Sequence, residues 1–124
     1  MKKQRPVNLD LTTVSFPASA VVSILHRVTG VALFVALTFV FWAWAESLSS
    51  PEGFAMVKDI MQSFLAKFIA WGTLVVLVYH LLGGIRHMFM DMGHFEELHS
   101  GNSSALFIMA LTVVLAIVLG WWLW

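Results

Sequence analysis

Three apolar runs, Val28 to Ala45, Phe68 to Ile85 and Ala105 to Trp124, constrain this chain more than any other feature of it. Each approaches or exceeds the roughly 18 to 20 residues a helix needs to cross bilayer hydrocarbon, where only helices and closed barrels satisfy their backbone polar groups. With 60% of 124 residues hydrophobic and only 11% charged, the chain has too little polar surface for a water-soluble fold. The fold class is therefore all-α, an integral membrane protein with three transmembrane helices. We expect one anchor domain over residues 1–124, with a polar tail over 1–16 and membrane helices over about 17–46, 62–91 and 104–124.

The first fifteen residues are polar and no apolar core follows their basic start closely, so insertion without a cleaved signal peptide is expected. Zero cysteines exclude disulfides, thiolate metal sites and iron-sulfur ligation within the chain. Any redox centre must be held by histidine. Lys2, Lys3, Arg5, Arg27 and Arg86 flank one side of the expected spans, and Lys58 and Lys67 the other. That bias predicts a cytoplasmic N-terminus, a cytoplasmic second loop and a C-terminus outside. A net charge of zero gives no electrostatic reason to expect nucleic-acid binding.

Met1 to Phe16 reads as an extended tail that orders against a partner or stays solvated. Pro17 suits a first helical turn, with Ser15 as a candidate cap. Beyond it, Ser19, Ser23, His26, Arg27 and Gly30 fall on one side of the first helix at a 3.6-residue period. Ser23 and Arg27 stand one turn apart, so a hydroxyl and a guanidinium can address one acceptor oxygen, such as a quinone carbonyl or the anion formed when it gains an electron. The plainer alternative has Arg27 snorkelling to phosphates and the serines bonding back to helix carbonyls. Trp42 and Trp44 suit the outer interface. Ser50-Pro51 reads as a cap and first-turn proline opening a short surface helix to about Met61, and Lys58 and Lys67 reach headgroups without chemistry.

The second apolar run closes on Tyr79-His80-Leu81-Leu82-Gly83-Gly84-Ile85-Arg86-His87-Met88-Phe89-Met90-Asp91. His80, Gly83, Gly84, His87 and Asp91 share one helix stripe. His80 lies six residues deeper than Arg86, about 9 Å along the axis. An imidazole at that depth is expensive in lipid and needs a partner. It is either hydrogen-bonded between helices or bound to a metal. The glycine pair removes bulk beside it, leaving room for a flat group, for which haem is the natural candidate. Arg86 points to a different side from His87, and either of them, or neither, contacts haem propionates. Met92 to Ser104 reads as a polar loop, in which His94 and His99 lack a matching metal-ligand set and Asn102-Ser103-Ser104 is a sequon facing the cytoplasm. Ser103 or Ser104 then caps a third span with no ionisable side chain.

A six-coordinate haem needs two axial imidazoles on opposite faces of the iron. Only His80 has suitable depth, and His26 sits beside Arg27 at the boundary. The second ligand is therefore expected from another membrane subunit, with the bundle part of a heteromeric assembly and His26 and Arg27 left for propionates or solvent.

Three ordered stretches carry a resemblance: Arg5-Pro6-Val7-Asn8-Leu9-Asp10-Leu11, then Ser23-Ile24-Leu25-His26-Arg27-Val28-Thr29-Gly30, then Tyr79-His80 through Gly84-Ile85-Arg86-His87 to Asp91. Together they resemble the cytochrome b membrane-anchor subunits of bacterial succinate dehydrogenase, and Ser47 to Gly53 resembles the enterobacterial form. The resemblance implies a complex with a flavoprotein subunit, an iron-sulfur subunit and a second small membrane anchor, in the inner membrane. In it, succinate is oxidised on the flavoprotein and electrons reach ubiquinone through the iron-sulfur chain, as part of the respiratory chain and tricarboxylic acid cycle. It further implies His80 as the axial ligand of haem b, with the other ligand on the small anchor. Ser23 and Arg27 would line the ubiquinone site, and His26 and Arg27 would lie near the propionates. His94 and His99 depart from the family pattern and take no role from it. Residues alone leave open a transporter or channel subunit using His80 and Arg27 along a polar path, and a cofactor-free assembly anchor.

Overall fold

The computed structural model describes residues 7–124, so Lys2, Lys3, Arg5 and Pro6 of the expected tail and charge pattern lie outside it. Four helices follow one another, α1 over Ala18–Ser49, α2 over Pro51–Ile60, α3 over Phe64–Asp91 and α4 over Leu98–Leu123, with no strand among the described residues. α1, α3 and α4 are long and apolar enough to cross a membrane. At 1.5 Å per residue the shortest, α4 with 26 residues, is about 39 Å long, against a hydrocarbon thickness of about 30 Å. Their outer faces expose large apolar side chains such as Val31, Phe34, Phe107 and Ile117. That surface suits lipid.

The three long helices pack on one another, and α2 packs on α1. A small core of Val22, Tyr79, Ala105 and Ile108 joins them, flanked by Ala18 and Leu82. Polar bonds supplement it, as packing in lipid requires. The Tyr79 hydroxyl donates to the Val22 carbonyl at 3.0 Å, tying α3 to α1. Further along, Trp71 Nε1 donates to the Ala116 carbonyl at 2.8 Å, tying α3 to α4.

α2 begins as expected. Ser50 accepts from Gly53 N at 2.9 Å, with Pro51 in the first turn. Losing such a cap costs about 1 kcal/mol, a factor of about five in local opening. Ser50→Ala is accordingly expected to raise amide exchange at Gly53 about fivefold while leaving mid-α1 exchange unchanged, as read by hydrogen exchange in detergent.

Several boundaries differ from the sequence expectation, the start of α3 at Phe64 rather than 62 among them. The first span runs to Ser49 rather than 46, and Ser15 does not cap it, because Pro17 occupies the cap position without a side-chain bond. The cap comes instead from α4, where Asn102 Oδ1 accepts from Ser19 N at 3.1 Å. The last span starts at Leu98 rather than 104, on Glu97 rather than on Ser103 or Ser104, and so carries His99 in its first turn. The polar residues Gly101, Asn102 and Ser104 that suggested a loop face the bundle. They serve polar groups of α1 and α3 there.

α3 ends at Asp91 as expected, with His94 N donating to the Phe89 carbonyl and Gly93 N to the Met90 carbonyl. Gly93 takes φ 86°, so these are the paired bonds of a left-handed glycine cap. The described tail is not extended throughout. Asp10 accepts from Thr12 Oγ1 at 2.7 Å and Thr12 N at 3.0 Å, closing an exposed turn. The Thr12 hydroxyl, then its amide, holds the Asp10 carboxyl below its usual pKa.

Candidate functional site

The α3 stripe and the α1 stripe meet face to face. His26 of α1 and His80 of α3 stack with ring centroids 4.1 Å apart and planes 9° from parallel, and His87 tilts against His26 at 5.3 Å. Each stacked ring meets a glycine of the opposite helix. A Cβ at Gly83 would sit 3.1 Å from His26 Cδ2, and one at Gly30 would sit 3.2 Å from His80 Cε1. The flat group that this chain itself brings to the Gly83-Gly84 pair is the His26 imidazole, because α1 crosses α3 at that point. Small residues at the crossing permit this close approach.

The hydrogen bonds of His80 decide its chemistry. Its Nδ1 lies 3.1 Å from the His26 carbonyl oxygen and 3.1 Å from Thr29 Oγ1. The Thr29 hydroxyl spends its own proton on the same carbonyl at 2.9 Å. Since the carbonyl can only accept, Nδ1 carries a proton, and in the neutral ring Nε2 then keeps a lone pair. His80 is half-buried, and a neutral imidazole whose Nδ1–H is held this way is the form a metal ion binds through Nε2. Stacking also bears on ligand number. Two axial imidazoles approach an iron edge-on from opposite sides, whereas His26 and His80 lie face against face with no room for an atom between them.

The other expected site residues divide. Ser23 and His87 line a cavity of about 300 Å³ at the end of the bundle where α1 and α4 begin. Arg27 is exposed and lies outside that lining, so the hydroxyl and guanidinium one turn apart on α1 face different surroundings. Asp91 is exposed at the end of α3. His94 and His99 are exposed, and no group of three or more metal-ligating side chains occurs among the described residues.

Arg86 is the residue whose role the sequence hid. Counted among the boundary charges, it is in fact only 2% exposed. Its Nη2 donates to Ser19 Oγ at 2.7 Å and to the Gly101 carbonyl at 3.0 Å, and its Nε donates to Ser104 Oγ at 2.9 Å. One guanidinium therefore pins the beginnings of α1 and α4 to α3, close to the wall of the cavity it helps line. The signal that could have found it is the set of small polar residues Ser19, Gly101 and Ser104 in otherwise apolar helices.

Fold and site together define a multi-pass helical membrane protein whose inter-helix contact presents a ligand-competent histidine. Residues 1–119 match the succinate dehydrogenase/fumarate reductase transmembrane subunit family. The chain is 34% identical to the succinate dehydrogenase cytochrome b556 subunit of Coxiella burnetii over 125 aligned residues covering all of both chains. It is 34% identical to the b556 subunit of Paracoccus denitrificans, across 92% of this chain and 88% of that one. The cytochrome b560 subunit of the same enzyme from Marchantia polymorpha is 28% identical, across 95% and 90%. The chain belongs to this family, and its role is that of a membrane anchor of succinate dehydrogenase.

Proposed function

We propose that this chain anchors the flavoprotein and iron-sulfur subunits of succinate dehydrogenase to a bacterial inner membrane, binds haem b jointly with a second small anchor subunit, and helps form the ubiquinone site. It has no succinate-oxidising activity alone. The observation that carries the reading is the 3.1 Å contact of His80 Nδ1 with the His26 carbonyl oxygen, which leaves Nε2 available as an axial ligand at an inter-helix contact. The residues fit a haem on these terms. When bound, the haem supplies a one-electron centre beside the quinone site.

His26 lies level with His80 and not at the boundary that its place beside Arg27 suggested, and the face-to-face stacking of the two rings, which cannot ligate one iron from opposite sides, supports a partner's histidine as the second ligand. His26 and Arg27 are assigned to the propionates, Arg27 because its exposed cation is free to pair with them. Ser23, on the cavity wall, orients the quinone ring through a hydrogen bond, and the long exposed Arg27 side chain reaches round from the next turn of α1 to stabilise negative charge developing on the quinone oxygen. The N-terminus is assigned to the cytoplasm and the C-terminus to the periplasm. Arg86 contributes less to that assignment than its sequence position suggested, because it is an interior residue.

In the purified complex, Ser23→Ala and Arg27→Leu are each expected to lower ubiquinone reduction about tenfold, the worth of one hydrogen bond to a developing charge. Succinate oxidation by an artificial dye should stay within twofold of the unmodified complex. Unchanged ubiquinone reduction in both variants would remove the quinone assignment.

A further inference from the structure

We infer that Thr29 is a positioning residue for the axial imidazole of His80, fixing its ring plane from the neighbouring helix beside the His26 carbonyl that sets its tautomer. The inference rests on the haem reading above and goes beyond it, since Thr29 touches neither haem nor quinone in that reading. Its basis is a closed triangle of three polar atoms. Thr29 Oγ1 lies 2.9 Å from the His26 carbonyl oxygen, and each of these lies 3.1 Å from His80 Nδ1. The Nδ1–H proton therefore points between two oxygens and is shared by both. A single acceptor would let the imidazole swing about the bond, whereas two acceptors on one rigid helix define a direction.

Two further contacts close the remaining freedom. The His26 ring covers one face of His80, 9° from parallel, and Gly30 meets its Cε1 edge, where an added Cβ would stand 3.2 Å away. His26, Thr29 and Gly30 all belong to α1, so a five-residue stretch of one helix holds the ligand of another. Thr29 itself is held, since its hydroxyl bonds back to the carbonyl three residues earlier and a β-branched side chain has few alternatives. Partners of this kind orient a metal-binding histidine and raise its basicity, and their loss costs about 10 to 100-fold in metal affinity.

The test uses Thr29→Ala and Thr29→Ser in the intact detergent-purified complex, with two readouts that do not depend on turnover. The first is the rate of haem loss to excess apomyoglobin, and the second is the low-field electron paramagnetic resonance line of the oxidised haem, which reports the relative orientation of the axial ring planes. Thr29→Ala is expected to bind haem, lose it about tenfold faster and show a shifted, broadened line. Thr29→Ser, which keeps the oxygen, should lie within twofold of the unmodified complex with its line unmoved. Should Thr29→Ala fail to assemble, Thr29→Val replaces it and is read the same way.

An unmoved line and unchanged haem loss in Thr29→Ala would overturn the inference, as would Thr29→Ser behaving like Thr29→Ala. Neither result touches the ligand assignment, which fails separately if His80→Ala retains the haem band.

Discussion

Replacing His80 with alanine is expected to abolish the b-type band of the reduced complex, leaving at most a minor five-coordinate haem population. The expectation follows from the tautomer. Nδ1 is committed to the His26 carbonyl and Thr29, which leaves Nε2 of His80 uncommitted, and no group of three or more metal-ligating side chains among the described residues offers a substitute. The measurement is a dithionite-reduced minus oxidised visible spectrum of the purified complex. A band of normal height and position in His80→Ala would remove the residue from the ligand assignment.

The second large effect belongs to Gly83. Its missing Cβ would lie 3.1, 3.6 and 3.7 Å from three atoms of His26, and that ring has little room to retreat because its other neighbour is His80, 4.1 Å away between centroids. Gly83→Val therefore pushes the stacked pair and separates α1 from α3. Overpacking a close contact costs about 1 to 3 kcal/mol, and here it also displaces the proposed ligand. Haem content is expected to fall at least fivefold and the unfolding midpoint of the complex by several degrees, measured by pyridine haemochrome assay and thermal scanning in detergent. Gly72, with nothing near its missing Cβ, is the control, and Gly72→Ala should leave haem content unchanged. Equal haem content in Gly83→Val and the unmodified complex would contradict the packing described for this crossing.

Much of the architecture was legible because hydrocarbon imposes a length requirement that few alternatives meet. Three long apolar runs became three long helices, and Ser50-Pro51 opened α2 by the bond that a serine before a proline can make. The stripe of His80, Gly83, Gly84 and His87 was legible as a face because helical periodicity needs no knowledge of the partner. What occupies that face was not legible. Glycine marks a close approach without saying what approaches, and here it is a neighbour's imidazole.

The start of α4 was misread for a related reason. Gly101, Asn102 and Ser104 have the composition of a loop, and only the positions of Ser19 and Arg86 across the bundle show that their polarity is spent inside. Arg86 was hidden by the same logic. A charge near a helix end looks like an interfacial anchor until the acceptors on two other helices are in place. Ser23 and Arg27 were paired by spacing, yet one lines a cavity and the other faces outward, a distinction that depends on where α3 and α4 lie.

The most direct measurement is a well-ordered map of the intact assembly with all its chains. The account predicts a porphyrin between this chain and a neighbouring one, with His80 Nε2 at bonding distance from the iron, a partner's histidine opposite, and Nδ1 still on the His26 carbonyl. A map in which position 80 touches only protein or lipid, or in which both axial ligands come from elsewhere, would contradict it.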